Sequence, residues 1–484
     1  MKALSSHPLI YEINTWVWLN ELSHRFDRPI TLGNVPTSVW DDLSGLKIDV
    51  VWMMGVWERS PHGIRLALQN AGLIADFRHA LPDFTPQDVV GSPYCVRRYQ
   101  VDLNLGGPQG LAAARQALAE RGIRLILDYV PNHVAPDHPW INDHPEYFIQ
   151  GTPEDLSHDP QSFFRSGSAI IAHGKDPNFP AWPDVAQLNA FHPGLREAVE
   201  DTLLTIASQC DGLRCDMAML MFNRIFGSTW GERAGSRPKD EFWPALIQSV
   251  RLAHPDFLWI AEAYWDTEPE LIEQGFDYCY DKVTYDLIKA VKPFQLKAHL
   301  EKMAPISDHL IRFIENHDEA RATSAFDPDR LPLAAYLTST LPGGVIFHEG
   351  QFEGRQTRLP VFLGRRPSEA PNSETRFFYQ QLLDLLTNAR LDTGNWNTLP
   401  LELSSDASSE SILAWHWHTS TENLVVMGNL SARPVKASVQ LPFEPTLLNI
   451  YDIPSSTPIS PSRMVTIDLA PWQTRLLSTT PQPD

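Results

Sequence analysis

Four apolar runs in this chain end in a carboxylate. RLILD (124–128) closes on Asp128, GLRCD (212–216) on Asp216, LWIAE (258–262) on Glu262 and RFIENHD (312–318) on Asp318. One acid at a strand end is as often a cap or a solvated loop residue as a functional group. Four in succession, with Arg214 two residues before Asp216 and His317 beside Asp318, are not accounted for by caps alone. Glycosidic cleavage uses such a set. One carboxyl group must be protonated to help the leaving oxygen, and another ionised to attack the anomeric carbon or activate water. An Arg beside an Asp lowers its pKa, so Arg214 is expected to keep Asp216 anionic. Burial near Trp259 and Trp265 is expected to raise Glu262 towards acid/base work. Clustered Asp and His also serve metal-assisted hydrolysis, but no HExxH spacing supports it, and no Cys or Ser nucleophile motif competes.

A fold must bring these ends together. KIDVVWMMGVW (47–57) and IRLILDYVPNH (123–133) read as strands buried on both faces. Helical stretches at 110–122, stopped by Gly122, and at 195–209 and 241–255 alternate with further strands near 210–218, 256–265, 275–282, 310–318 and 341–351. About eight strands in this rhythm fit an α/β (β/α)8 TIM barrel, which gathers the C-terminal ends of its strands around one opening. Residues 134–190, rich in Pro, Asp, His, Ser and Gly and without a clear helix, read as an insertion after strand 3. From about 396 short alternating strands (SILAWHWH, NLVVMGNLS, KASVQLPF, LLNIYDI, MVTIDLAPWQTRLLS) read as an antiparallel β-sandwich. The expected division is a barrel over 1–133 and 191–395, an inserted subdomain over 134–190 and a C-terminal β-sandwich domain over 396–484.

The length of 484 residues suits such a multi-part chain. A formal net charge of −20 argues against a nucleic-acid partner, because phosphate binding needs a basic surface. Cys95, Cys210, Cys215 and Cys279 form no CxxC pair and read as small buried residues of a reducing compartment. No signal peptide and no stretch of about 20 apolar residues is evident, so a cytoplasmic location without a membrane partner is expected. Fifteen Trp lean mildly towards carbohydrate, since flat aromatic faces stack on sugar rings.

Taken together, these motifs resemble glycoside hydrolase family 13, the α-amylase family of retaining α-glucoside-active enzymes. DYVPNH (128–133), GLRCD (212–216), IAEAY (260–264) and ENHDEAR (315–321) are similar to its four motifs in order and spacing. The resemblance implies that Asp216 is the nucleophile, Glu262 the general acid and then base, and Asp318 the group that stabilises the oxocarbenium-like transition state. It implies that Arg214 orients Asp216, that His133 and His317 bind hydroxyls of the attacked glucose, and that Asp128 supports the barrel end. Tyr94, in GSPYCVRRY, falls where the family often stacks a Tyr on that glucose, although Cys95 follows where an Asp is common. Glu315 and Glu319 are read as supporting or solvated.

Departures bear on substrate and metal. Met219 and Leu220 stand where amylases often have Lys-His, which weakens the case for a plain endo-acting starch amylase. Gln187 replaces the Asp of a PDLN-like segment. No metal or cofactor is therefore assigned, with a structural calcium at Asn132 as the alternative. Arg355, Arg358, Arg365 and Arg366, after the last strand, pair with the acidic body or recognise a phosphate or carboxylate on the substrate. The Trp-rich loops at Trp140, Trp182 and Trp230 build acceptor subsites or pack the insertion on the barrel. The leading expectation is an α-retaining hydrolase of α-glucans, maltooligosaccharides or small α-glucosides. The alternatives are a transglycosylase or isomerase using the same residues (4-α-glucanotransferase, trehalose-forming enzyme or sucrose-type phosphorylase) and a non-catalytic carbohydrate-binding relative. Relatives of that last kind lose the acids that this chain keeps. Oligomeric state is not legible.

Overall fold

The computed structural model describes residues 4–389, 391, 394–403, 411–419, 423–443, 448–452, 455–459 and 462–478. Eight parallel strands close a barrel: β1 (Leu9–Asn14), β2 (Val50–Met54), β3 (Arg124–Tyr129), β4 (Gly212–Cys215), β5 (Leu258–Ala261), β6 (Tyr278–Tyr280), β7 (Leu310–Arg312) and β8 (Gly344–His348). Each pairs with its neighbours in chain order, and β8 returns to β1. Every residue of β2 and β3 is buried, as both faces of a parallel strand require: one faces the barrel lumen and the other the helices. The eightfold (β/α) barrel expected from the alternation is the observed architecture. Its strands are shorter than the apolar runs suggested. β4 stops at Cys215, β5 at Ala261 and β7 at Arg312, so Asp216, Glu262 and Asp318 stand in the loops just beyond.

Helices return the chain between strands. The stretch read as helical from 195 begins at Pro193 and ends at Ala207, because proline fits the first helical position and the His192 ring accepts from the Leu195 N–H at 3.3 Å. β8 enters through Gly343, at φ +84°, where a Cβ would lie 2.1 Å from the Leu310 carbonyl oxygen. Only glycine lets the chain pass there.

Between β3 and β4 the chain builds a four-stranded antiparallel sheet in the order 133–134, 182–187, 169–174, 163–166. The helix-free reading of this segment is corrected at Trp140–Asp143 and Pro153–His158. The second of these is started by a reciprocal cap, with Thr152 and Asp155 each binding the other's backbone N–H.

Towards the C-terminus a six-stranded sheet faces a three-stranded one, both antiparallel. Val425, Met427, Val439 and Ile467 fill the space between them. The other face of the larger sheet belongs to the barrel's own core through Leu413, Trp415, Trp417 and Val426. The Trp415 indole donates to Thr340 Oγ1 at 3.2 Å and Trp417 to the Thr340 carbonyl at 2.7 Å. All four cysteines are free and buried. Among the described residues no helix is long and apolar enough to cross a membrane.

Candidate active site

Parallel register brings the motifs side by side. Arg214 on β4 lies opposite Asp128 on β3 and Ile260 on β5, two residues before Glu262. The Arg214 guanidinium is 1% exposed and spans two acids: one terminal nitrogen donates to Asp216 Oδ1 at 2.7 Å and the other lies 2.8 Å from Glu262 Oε2. Asp128 Oδ1 is further away, at 3.9 Å. The rings of Trp52, Tyr94 and Tyr280 surround the cation, each 5.3–5.6 Å from its central carbon.

Glu262 is fixed from both sides. Its Oε2 accepts the Met217 N–H at 2.7 Å and its Oε1 accepts the Tyr264 hydroxyl at 2.7 Å. The first bond requires Met217, directly after Asp216, to sit in the left-handed region at φ 43°, which costs a residue with a Cβ about 1–2 kcal/mol. Burial raises the Glu262 carboxyl to about 7 against the pull of Arg214, and the charges of Asp216 and Asp318 push the same way. The expected cause, burial, holds, but the two tryptophans do not supply it. Trp259 packs against Trp243, Phe257 and Phe276, and Trp265 is 43% exposed. Alternation along the strand sends Trp259 to the helix side while Glu262 faces the opening. The expectation for Asp216 is corrected as well. Burial raises its carboxyl above the ordinary value, and Arg214 offsets this only in part.

Asp318 is the open member, its side chain 48% exposed. Burial of its surroundings pushes it up, but His317 at 3.0 Å and Arg214 outweigh that and hold it well below the usual carboxylate range. His317 forms a relay. Its Nδ1 meets Glu12 Oε1 at 2.5 Å, and its Nε2 meets the Tyr94 hydroxyl at 2.6 Å and Asp318. Burial opposes the imidazolium, yet Asp318 and Glu12 raise its pKa well above the ordinary value. His133 is pushed down to about 4 by burial and stays neutral, its ring edge-on to Trp182. Asp128 is raised to about 6 by burial and accepts from the Trp52 indole at 3.2 Å and the Gly55 N–H at 3.1 Å.

Tyr94, His133, Asp216, Glu262 and Asp318 line one cleft of about 330 Å³, closed on one side by Trp182 and Asp184 of the inserted sheet. All eight residues expected from the sequence therefore gather at one end of the barrel. Glu12, Tyr264, Trp52 and Tyr280 were not expected. The signal for Glu12 was a lone acid inside the apolar LIYEIN, which is buried throughout. Glu315 is a buried support held by Arg321, His348 and the Ala322 N–H, and Glu319 pairs with Lys282 at 3.1 Å. Trp230 is buried, so of the loop tryptophans considered for acceptor subsites it serves packing. Arg355, Arg365 and Arg366 are paired with Glu21, Asp88 and Glu349, whereas Arg358 is exposed within the electrostatic reach of Asp318.

The residues near Asn132 do not fit a structural calcium. The Gln187 side-chain amide, fully buried, donates to the Asn132 carbonyl at 2.9 Å, Asn132 Oδ1 at 2.9 Å and the Leu188 carbonyl at 3.0 Å. A neutral donor thus occupies the point where these oxygens converge, and a hard cation there needs oxygen ligands rather than an N–H group.

A family model described as the catalytic domain of alpha amylase matches residues 39–358. An alpha-amylase of Haloarcula japonica is 23% identical over 448 residues, covering 89% of this chain and 56% of that protein. An alpha-1,4-glucan:maltose-1-phosphate maltosyltransferase of Rhodospirillum rubrum is 26% identical over 271 residues, 52% of this chain and 34% of that protein. The chain thus spans about half the length, or less, of these curated relatives. Among solved structures, a noncanonic maltogenic alpha-amylase from Thermotoga neapolitana superposes with a TM-score of 0.69 at 18% identity over 98% of each chain. An acarbose-soaked debranching enzyme of Nostoc punctiforme gives 0.67 at 16% identity, covering 98% of this chain and 99% of that one. The fold is shared throughout these structures, the matched span contains every strand-end carboxylate described above, and the chain belongs to the alpha-amylase family of glycoside hydrolases.

Proposed function

We propose that the chain cleaves α-glucosidic bonds with retention, by double displacement, in α-glucans, maltooligosaccharides or small α-glucosides. Asp216 attacks the anomeric carbon, Glu262 protonates the leaving oxygen and then activates the incoming hydroxyl, and Asp318 stabilises the positive charge of the transition state. Arg214 orients the first two, Asp128 backs it, and His133, His317 and Tyr94 grip the glucose. The observation that carries this reading is the single Arg214 guanidinium in contact with both Asp216 and Glu262. It supports carboxyl groups close enough for retention, about 5–5.5 Å apart, rather than the wider spacing of an inverting pair. The elevation of Glu262 to about 7 supports its role as the acid at neutral pH. Four buried free cysteines suit a cytoplasmic setting.

A second reading keeps every role and replaces water by a sugar or phosphate acceptor. The likeness to maltosyltransferases favours it. Purified protein incubated with maltose, maltoheptaose, trehalose, sucrose, and sucrose with phosphate separates the two. Glucose or shorter maltodextrins alone support hydrolysis. Longer oligomers, an isomerised disaccharide or a sugar phosphate support transfer. No product from any of them, or a β-configured first product, overturns the proposal.

A further inference from the structure

The strand 182–187 of the inserted sheet carries a bulge at the edge of the cleft. Two successive residues of its partner strand, His173 and Gly174, pair with Ala186 and Trp182, which are four apart. Pro183, Asp184 and Val185 are therefore extra residues without a place in the ladder. A bulge leaves backbone groups unpaired, and beside an active site it re-aims a side chain. Here buried side chains take the freed carbonyls. Cys95 Sγ donates to the Asp184 carbonyl at 3.0 Å, and His173 Nδ1 meets the Val185 carbonyl at 3.1 Å. Cys95, which stands where an Asp is common, thus helps to hold the bulge. The bulge presents Asp184 to the cleft, whose wall it forms with Trp182 and Val185. Every other acid of that wall is engaged: Asp216 and Glu262 by Arg214, Asp318 by His317. The Asp184 carboxyl has no side-chain partner among the described residues. Burial raises it above its ordinary value, and its own backbone N–H offsets this only in part.

We propose that Asp184 sets the charge specificity of this cleft: it accepts hydroxyl groups of the sugar held against the inserted sheet and turns anionic groups away. The proposal rests on the double-displacement reading above. It narrows the second form of that reading, because it makes the acceptor water or a neutral sugar rather than phosphate. Four of the ten residues lining the cleft are acids, and none is Lys or Arg. Arg214 lies behind them with one terminal nitrogen on Asp216 and the other on Glu262, and Arg358 acts on Asp318 from outside that lining. An ionised carboxylate only accepts, so the group it binds must donate, as a sugar hydroxyl does and a phosphate dianion does not. Hydrogen bonds to an ionised acceptor are the stronger kind. A fixed like charge in a narrow cleft repels an anion more than it would in bulk water.

The test uses Asp184→Asn, which keeps the shape of the side chain and removes its charge. The substrate is whichever glucoside of the panel above the wild-type protein cleaves fastest, and the probe is inorganic phosphate at pH 7. Phosphate is expected to inhibit the wild type no more than sodium chloride of the same ionic strength, and to enter no product. Asp184→Asn is expected to lose about tenfold in kcat/KM for the neutral glucoside, the scale of a hydrogen bond to a charged group. It is also expected to be inhibited by phosphate about tenfold more strongly than the wild type. It should melt with the wild type, since the bulge is held through the Asp184 carbonyl and not the carboxyl. Asp184→Ser, smaller and also uncharged, is expected to share its response to phosphate, whereas Asp184→Glu is expected to keep phosphate out. Sugar phosphate formed by the wild type overturns the role of Asp184 and leaves the catalytic acids in place. So does an Asp184→Asn protein whose glucoside turnover or phosphate response matches the wild type. A wild-type protein that cleaves nothing in the panel overturns the assignment of the site itself.

Discussion

Replacing Glu12 by glutamine keeps the shape of the buried contact to His317 and deletes its charge. Glu12 is fully buried, and its Oε1 lies 2.5 Å from His317 Nδ1. Two unit charges about 4 Å apart attract by about 4 kcal/mol at an effective dielectric of about 20. Burial, the largest influence on this imidazole, is then opposed by Asp318 without Glu12, so the His317 pKa falls. The sign with pH follows from linkage. In the wild type the His317 pKa is raised in the fold, so the stability it contributes is whole below the unfolded value near 6.5 and is lost as pH climbs through the folded value. In Glu12→Gln the raised interval is narrower, because Asp318 still opposes burial but Glu12 does not. The stability gap between the two proteins is therefore widest at pH 6 and narrows as pH rises above about 6.5, by at most about 1.4 kcal/mol per unit. Melting temperatures of both proteins at pH 6 and 8 read it directly. A gap that does not change with pH would refute the relay, and one that widens would reverse its sign.

Three further outcomes are expected. Asp216→Asn should lower turnover by several orders of magnitude with an unchanged melting profile, because it removes the proposed nucleophile from a barrel mouth; a near-normal rate removes the assignment. The alkaline limb of kcat/KM should fall near pH 7 as Glu262 loses its proton, and Tyr264→Phe should shift that limb, since one hydrogen bond to the carboxyl disappears; a limb two units away contradicts the role of Glu262. A chelator should leave the melting temperature unchanged, whereas Gln187→Asp should make it rise on adding calcium, because a carboxylate then joins the Asn132 and Leu188 oxygens; a wild-type protein destabilised by the chelator contradicts the amide's role.

What the chain's sequence determined by itself is the set of residues that act and the scaffold that holds them. Apolar runs ending in Asp128, Asp216, Glu262 and Asp318 carry their own address, because a parallel strand buried on both faces must be apolar throughout and an acid at its end must face the opening. The strand–helix rhythm and the alternating C-terminal strands are equally local, and both appear in the fold. Tertiary structure decided what surrounds those acids. Glu12 lies 305 residues from His317 and meets it only because β1 and β8 close the barrel. Gln187 stands 55 residues from Asn132, and only the antiparallel pairing of 133–134 with 182–187 turns a missing acid into an amide that serves the same oxygens. The raised pKa of Glu262 and its cause, burial, were legible in the sequence, but not the residues that bury it. Burial depends on which face a side chain takes, and the two nearby tryptophans take other faces. Composition and spacing specify which groups are present. Burial and long-range pairing set their charge, and only the closed barrel brings them together.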